Sequence, residues 1–133
     1  MAQMIYQLTV KGFNSGLNEL LSGRIYDHRT KKYRNYVKNK NDDICCKAIQ
    51  ISKELKDVCI VKPIIIHYSF FVKNKLHDRM NIASAFIKSF EDALQKCNVI
   101  KNDGWDDVLT PTLEFAIDKK EPRVEIIIEE IME

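Results

Sequence analysis

Apolar residues alternate with polar ones along several short stretches, and this period of two is typical of β-strands. The most apolar run is Cys59–Lys73, where Pro63 stands near the start of the predicted strand. Both alternating sets of this run are largely apolar, which predicts a central strand that is buried on both faces. His67 within it is expected to be a satisfied sheet histidine rather than a metal ligand. Three further stretches predict the remaining strands: Met4–Val10, Leu113–Ile117 and Val124–Ile128.

Helical spacing separates these strands in two places. Asn41–Asp43 offers a cap and negative charge at a helix start, and apolar positions then recur as far as Lys56. A second helix is predicted after Asp78. Its apolar residues fill one arc of the helical wheel: Ile82, Ala83, Phe86, Ile87, Phe90, Ala93, Leu94 and Cys97. The segment Leu17–Leu21 also has room for a short turn of helix.

The predicted order of elements is strand, helix, strand, helix, strand, strand. This order predicts an α+β fold, in which residues 1–133 form a single domain with a mixed four-stranded β-sheet and two main helices packed on it. A helix joins the first two strands, so we expect these strands to run parallel. Only the turn Asp118–Pro122 separates the last two strands, which predicts an antiparallel hairpin.

The distribution of charge is more informative than the formal net charge of +2. Between Arg24 and Lys40, basic residues are interleaved with three tyrosines and one acid, Asp27. This mixture suits contact with a phosphate backbone and stacking on bases. A solvated connector or the polar start of a helix has the same composition, so both interpretations stay open. The candidate DNA-binding residues are Arg24, Arg29, Lys31, Lys32, Arg34 and Lys38.

The four cysteines have no metal-ligand spacing, and we expect them to be reduced, packed thiols. The N-terminal residues lack the pattern of a signal peptide. No apolar stretch reaches the roughly 20 residues that a membrane helix requires. We therefore expect a cytoplasmic protein that has no membrane partner.

Polar side chains mark both ends of the second predicted helix. Asp78 and Asp103 are loop carboxylates at the ends of rigid elements, where functional sites are often built. Asn81 and Lys88 belong to the polar face of the helix between them. A solvated helix face is the simpler explanation of that pattern, and Lys88 would then be a surface lysine that pairs with Asp92 one turn later.

A set of motifs covers most of the chain and is densest between Asp78 and Trp105. Its main parts are Asp78-Arg79-Met80-Asn81-Ile82-Ala83-Ser84, then Lys88, Asp92-Ala93-Leu94, Val99-Ile100 and Asn102-Asp103-Gly104-Trp105. Looser parts are Gly16-Leu17-Asn18-Glu19 and the residues 118–123 that precede the last apolar strand. In composition, spacing and order, this set resembles the RusA-type Holliday-junction resolvases, many of which are encoded by phages or prophages.

The resemblance implies a homodimeric, magnesium-dependent endodeoxyribonuclease that acts in DNA recombination and repair, with Mn²⁺ as an alternative ion. Such an enzyme resolves four-way DNA junctions by hydrolysing phosphodiester bonds, so the implied partners are branched DNA and a second copy of the chain. The resemblance also assigns roles to four residues. Asp78 and Asp103 would hold the metal, Lys88 would stabilise negative charge on the phosphate, and Asn81 would orient an aspartate or a water.

Met80 departs from the family pattern, which has an acid two residues after the first one. A thioether is a poor ligand for a hard cation such as magnesium. Candidate replacements for the missing acid are His77, Asp106 and Asp107. Two other functions therefore stay open, namely a relative that binds junctions without cutting them and a domain that binds a protein partner.

Overall fold

The computed structural model describes residues 4–13, 24–75 and 78–131, of which residues 24–27 and 32–37 are described by their backbone alone. The predicted helical turn at Leu17–Leu21 and the candidate ligand His77 lie outside these residues. The elements, in chain order, are β1 (Ile5–Lys11), β2 (Arg24–Asp27), β3 (Lys32–Asn35), α1 (Tyr36–Ile51), β4 (Ile64–Val72), α2 (Arg79–Lys96), β5 (Thr112–Ile117) and β6 (Arg123–Glu130).

Four of the strands form one mixed sheet in the order β1-β6-β4-β5. β4 pairs with β5 in parallel and with β6 in antiparallel register. The predicted α+β fold, with a four-stranded sheet and two helices, is thereby confirmed, and so is the central position of β4. The start of β4 also follows the prediction, because Pro63 directly precedes its first residue, Ile64.

The predicted hairpin between the last two strands is wrong. β4 lies between β5 and β6 and hydrogen-bonds to both of them. The reason is that β5 returns from α2 as the parallel neighbour of β4, which leaves β6 to pair on the opposite side. β1 and β4 do run in the same direction, as expected, because each is antiparallel to β6.

The basic segment contains more structure than its composition predicted. β2 and β3 form a two-stranded antiparallel sheet of their own, and α1 begins directly after it at Tyr36. The predicted helix start at Asn41–Asp43 is therefore wrong by five residues, and the helix ends at Ile51 rather than near Lys56. Asn41 and Asp42 are buried inside α1 instead of capping it.

The core lies between the sheet and the two helices. Tyr68 and Phe70 of β4 pack against Phe86 and Phe90 of α2, with edge-to-face contacts at centroid distances of 5.7–6.1 Å. The apolar arc predicted for α2 faces this core. Its fully buried members are Ala83, Phe86, Phe90, Ala93 and Leu94. Burying each aromatic ring contributes on the order of 2 kcal/mol, so this contact sets the position of α2.

The opposite face of β4 is only half-buried, which corrects the prediction of two fully buried faces. His67 lies on this open face, where its Nδ1 is 2.7 Å from Thr112 Oγ1 and its Nε2 is 2.8 Å from Glu129 Oε2. Both ring nitrogens are hydrogen-bonded to side chains of neighbouring strands. His67 is thus a satisfied sheet histidine, as predicted.

The four cysteines are free thiols, as expected, but Cys59 is exposed, so the expectation that all four are packed is wrong for this residue. Cys45 is fully buried, and burial raises the pKa of its thiol to about 12. Of the helices that the structure describes, neither is both long and apolar enough to cross a membrane.

A buried carboxylate joins the two helices. Asp42 Oδ2 accepts from Lys38 Nζ at 2.7 Å and from Lys96 Nζ at 2.9 Å, although the side chain of Asp42 is only 2% exposed. Lys38 Nζ also lies 2.7 Å from Asp92 Oδ2 of α2. Partial burial opposes the charge on Lys38, but its hydrogen bonds to the two aspartates outweigh burial and hold its pKa above the ordinary value.

Replacing Asp42 by Asn should therefore lower the free energy of unfolding by about 2–3 kcal/mol, because two lysines lose their shared carboxylate in a buried position. Lys88→Ala is the matched control, since Lys88 is 62% exposed and lies 3.9 Å from its acid; it should change stability by less than about 0.5 kcal/mol. Urea denaturation of both variants measures the difference. An unchanged midpoint for Asp42→Asn would contradict this account of how the helices are joined.

Candidate functional site

Asp78 caps the N-terminus of α2. Its Oδ1 accepts from the backbone N–H of Met80 at 3.0 Å, and its carbonyl accepts from Ile82 N at 3.1 Å. A capping carboxylate of this kind stabilises a helix by about 1 kcal/mol. The first predicted acid thus has a structural role in the fold. It is also exposed, so a ligand can reach it.

Met80 and Asn81 occupy the first turn of α2 beside Asp78. Met80 exposes 58% of its surface, and Asn81 is half-buried. The position that bears an acid in the RusA pattern therefore presents a thioether to solvent. An aspartate in place of Met80 would not disturb the core, because the Met80 side chain is largely exposed.

Asp103 lies in a turn that is attached to the start of β4. The backbone N–H groups of Asp107 and Val108 both donate to Gly104 O at 3.0 Å. Ile64 N donates to Asp107 O, also at 3.0 Å, and Leu109 N donates to Ile64 O at 2.9 Å. These four bonds fix the turn beside the start of β4, and Asp103 is exposed on this turn.

Asp78 and Asp103 lie near opposite ends of β4. Asp78 lies beyond the C-terminal end of β4 at Val72, whereas the turn that carries Asp103 is bonded to the first residue of β4, Ile64. A strand of this length spans about 26 Å between its ends. The structure therefore does not bring these two carboxylates together within one chain, and their assignment as a metal pair stays a sequence prediction.

Glu91 is the acid that lies near Asp103. Partial burial and the negative charges of Asp103 and Asp92 together raise the pKa of the Glu91 carboxyl to about 7, although the charge of Lys88 opposes them. From Asp78 to Glu91 the helix axis rises by about 20 Å. The C-terminal part of α2 and the turn after it thus provide a group of three acids and one lysine, which we call the Glu91 cluster: Lys88, Glu91, Asp92 and Asp103.

The sequence interpretation missed Glu91. The signal that was available is helical spacing, because Glu91 follows Lys88 by three residues and therefore lies on the same side of α2. What the spacing could not show is that Glu91 is half-buried and approached by an acid from a later turn.

Lys88 is only loosely held by its neighbour on the helix. Its Nζ lies 3.9 Å from Asp92 Oδ1, and its side chain is 62% exposed. Asp92 makes a shorter contact with Lys38, at 2.7 Å through its other oxygen. The predicted i,i+4 pair is therefore present but long. The Lys88 ammonium is largely exposed, so an incoming phosphate can reach it.

The candidate DNA-binding residues fall into two groups. Arg29 and Lys31 lie in the exposed turn between β2 and β3, and the backbones of Arg24, Lys32 and Arg34 belong to the two strands. Lys31 occupies a left-handed conformation with φ of 55° in this tight turn. We call residues 24–35 the basic hairpin.

Lys38 differs from the basic hairpin, since its ammonium is half-buried between Asp42 and Asp92. Its role in the structure is to join α1 to α2. The composition of the basic segment gave no means of separating Lys38 from its neighbours, because its partners are remote in sequence or buried.

A magnesium ion requires several oxygen ligands that converge on one point. Across residues 4–13, 24–75 and 78–131, no group of three or more acids, histidines and cysteines has a geometry suited to a metal. Asp106 and Asp107 are exposed on the same turn as Asp103, so they do not replace the missing acid beside Asp78. Among the residues that the structure describes, those of a single chain therefore do not form a complete magnesium site.

In comparisons with known proteins, the chain matches no family model and no curated protein.

The raised pKa of Glu91 predicts how stability changes with pH. The folded state retains the Glu91 proton up to about pH 7, whereas the unfolded chain releases it near the ordinary value of 4.5. Stability should therefore fall as pH rises between these values and then level off. Glu91→Gln should remove this loss and raise the free energy of unfolding at pH 8 by about 1–2 kcal/mol, a figure reduced to allow for partial exposure.

Urea denaturation at pH 5 and pH 8 measures this effect. Glu114→Gln, an exposed acid on β5, is the control and should leave the difference between the two pH values unchanged. If Glu91→Gln has the same pH dependence as the unmodified protein, the assignment of a raised pKa to Glu91 is wrong.

Proposed function

We propose that this protein is a RusA-like endonuclease that binds four-way DNA junctions and cuts them as a homodimer with the help of a divalent cation. The observation that carries the proposal is the exposed Lys88 ammonium in the C-terminal half of α2, close to Glu91, whose carboxyl is also acted on by the charge of Asp103. The first motif acid lies at the other end of the same helix. The motifs that resemble the resolvases thus occur on one structural unit.

The basic hairpin supports the DNA-binding part of the proposal. A two-stranded β-ribbon fits into the major groove of DNA, and basic side chains along it bind phosphates and release counterions. The exposed turn with Arg29 and Lys31 lies outside the four-stranded sheet, in a small sheet of its own. It can therefore contact DNA without any change in the main core.

In the proposed reaction, Lys88 acts on the phosphate, whereas Asp78 and Asp103 hold the cation. Lys88 stabilises the additional negative charge that a phosphodiester acquires during hydrolysis. A divalent cation supplies an activated water and further charge stabilisation when it is bound. Asp78 and Asp103 would each contribute a carboxylate to that ion, and the described residues of one chain do not bring these two carboxylates together.

The separation of Asp78 from Asp103 has a direct consequence for the dimer. If both residues hold the same ion, they must come from different copies of the chain, because β4 keeps them apart within each copy. In a two-fold dimer, the same contact then occurs twice. Two composite sites would suit the cutting of two opposed strands in a four-way junction.

Mixed dimers test this arrangement. Asp78→Asn and Asp103→Asn should each abolish cutting while leaving junction binding intact. A dimer that combines one chain of each variant retains one unmodified site if the sites are composite, and it should nick one strand of the junction. If both aspartates of a site belong to one chain, the mixed dimer contains no unmodified site and stays inactive.

A second function is favoured by Met80, which presents a thioether where the family pattern has an acid. In this second function, the protein binds junctions and protects or presents them without cutting them. Under this alternative, the unmodified chain binds a junction but cuts it in neither Mg²⁺ nor Mn²⁺.

A cleavage assay on a synthetic four-way junction should compare the unmodified chain with Met80→Asp. Restoring a carboxylate two residues after Asp78 should raise the rate of cutting by roughly tenfold or more, because losing a group that supports a metal ligand typically lowers activity by about that factor. Met80→Ala controls for the loss of the thioether. Equal cutting by all three proteins would exclude Met80 as the cause of reduced activity.

The basic hairpin can be tested through the salt dependence of binding. Replacing Arg29 and Lys31 together by Ser should reduce the slope of log K against log salt by about 1–2, at about 0.9 per lost phosphate contact. Lys53 and Lys56, which follow α1 and are also exposed, provide a matched double variant that should leave the slope unchanged. A similar change in both double variants would indicate a general charge effect and not a role of the hairpin.

A further inference from the structure

Trp105 lies on the exposed turn that carries Asp103, and the proposed reaction assigns it no role. It exposes 93% of its surface, more than any other large hydrophobic residue that the structure describes. Tryptophan is usually among the more buried residues because its ring has a large apolar area. An almost fully exposed indole therefore needs a reason beyond folding.

The turn that carries Trp105 is held in place by its backbone. Gly104 O accepts from Asp107 N and Val108 N, and the turn is bonded to β4 through Ile64. A side chain in place of the Gly104 hydrogen would come within 3.2 Å of Asp107 Oδ2, so the turn is closely packed at this point. The indole is thus presented from a fixed turn and not from a loose loop.

The charges around Trp105 limit what it can contact. Asp103, Asp106 and Asp107 share its turn and are exposed, so they repel phosphate groups at short range wherever no cation lies between them. An approach of nucleic acid to this turn is therefore more favourable through a base than through the backbone. In a regular duplex the bases are stacked on one another, and only an unstacked base can offer its face.

A shallow pocket next to this turn adds positive charge and apolar surface. It has a volume of about 240 Å³. Its lining residues are Ile60, Val61, Lys62, Ile100, Lys101, Asn102 and Asp107. Lys62 and Lys101 therefore lie next to the turn, where they can contact the phosphates that flank a base stacked on the indole.

We infer that Trp105 is a stacking platform for an unstacked base at the branch point of the DNA. This inference rests on the proposed function, because it assigns to Trp105 the selection of branched over linear DNA at the site that contains Asp103. Base–aromatic stacking tolerates any sequence, since every base has a π-face. The site would thus recognise the shape of the branch and not its sequence.

The protein contains a single tryptophan, so its fluorescence reports on Trp105 alone. The experiment titrates the full chain with a four-way junction that carries a fluorescent label, in Ca²⁺ or without divalent cations to prevent cutting. Anisotropy of the label reports binding, and Trp105 emission together with quenching by acrylamide reports stacking. A linear duplex of the same length serves as the reference DNA.

We expect the junction to quench Trp105 emission and to protect the indole from acrylamide, and we expect the linear duplex to do neither. Trp105→Ala should weaken junction binding about tenfold, and Trp105→Phe should retain most of it. Ile51→Ala is the matched control, because Ile51 is 82% exposed at the end of α1 and should have no effect. Circular dichroism of each variant checks that it is folded.

The outcomes separate the inference from the proposed function. Binding of the junction with unchanged Trp105 emission would overturn the stacking role and leave junction binding in place. Absence of binding to any DNA would overturn both. If Trp105→Ala alters sedimentation of the free protein and leaves DNA affinity unchanged, the indole contacts a second copy of the chain and the inference is also overturned.

Discussion

Tyr68 and Phe70 of β4 pack edge-to-face against Phe86 and Phe90 of α2, and this aromatic contact fixes the position of α2 on the sheet. The chain leaves β4 at one end of the sheet and returns at the other end, where Ile60 N donates to Val99 O at 2.7 Å. α2 therefore runs antiparallel to β4 and spans the sheet.

This direction decides which candidate residues meet. Asp78 begins α2, and the residues that follow the helix are delivered to the start of β4, so Asp103 comes to lie near Glu91. Lys88 lies between these two regions, on the exposed side of the helix. The aromatic core and the separation of the two aspartates thus have the same origin. A site that uses both aspartates for one ion has to be completed by a second copy.

The polar contacts between the helices determine which lysines remain accessible. Lys38 and Lys96 share Asp42, and Lys38 also binds Asp92. Because Asp92 is already engaged at 2.7 Å, its contact with Lys88 is long. One lysine of the basic segment is thereby used to hold the fold together, and a lysine of the helix surface is left for a ligand. Charge alone does not separate these two roles.

The amino-acid pattern by itself determined the fold class, the central strand and the buried face of α2, because alternation and helical spacing are local properties of the chain. It also indicated that Asp78 and Asp103 stand at the ends of rigid elements. Pairing between strands is not local. The sequence predicted a hairpin because the turn 118–122 is short. Which strands pair with β4 depends instead on the arrangement of all four strands in the sheet.

Only the tertiary structure decided the start of α1, the engagement of Lys38 and the presence of Glu91 near Asp103. Each of these depends on contacts between residues that are far apart in sequence, such as Asp42 with Lys96. The same holds for the distance between Asp78 and Asp103, which follows from the path of the chain across the sheet. Periodicity fixes the face on which a side chain lies, but the residues that come to face it are set by packing between elements.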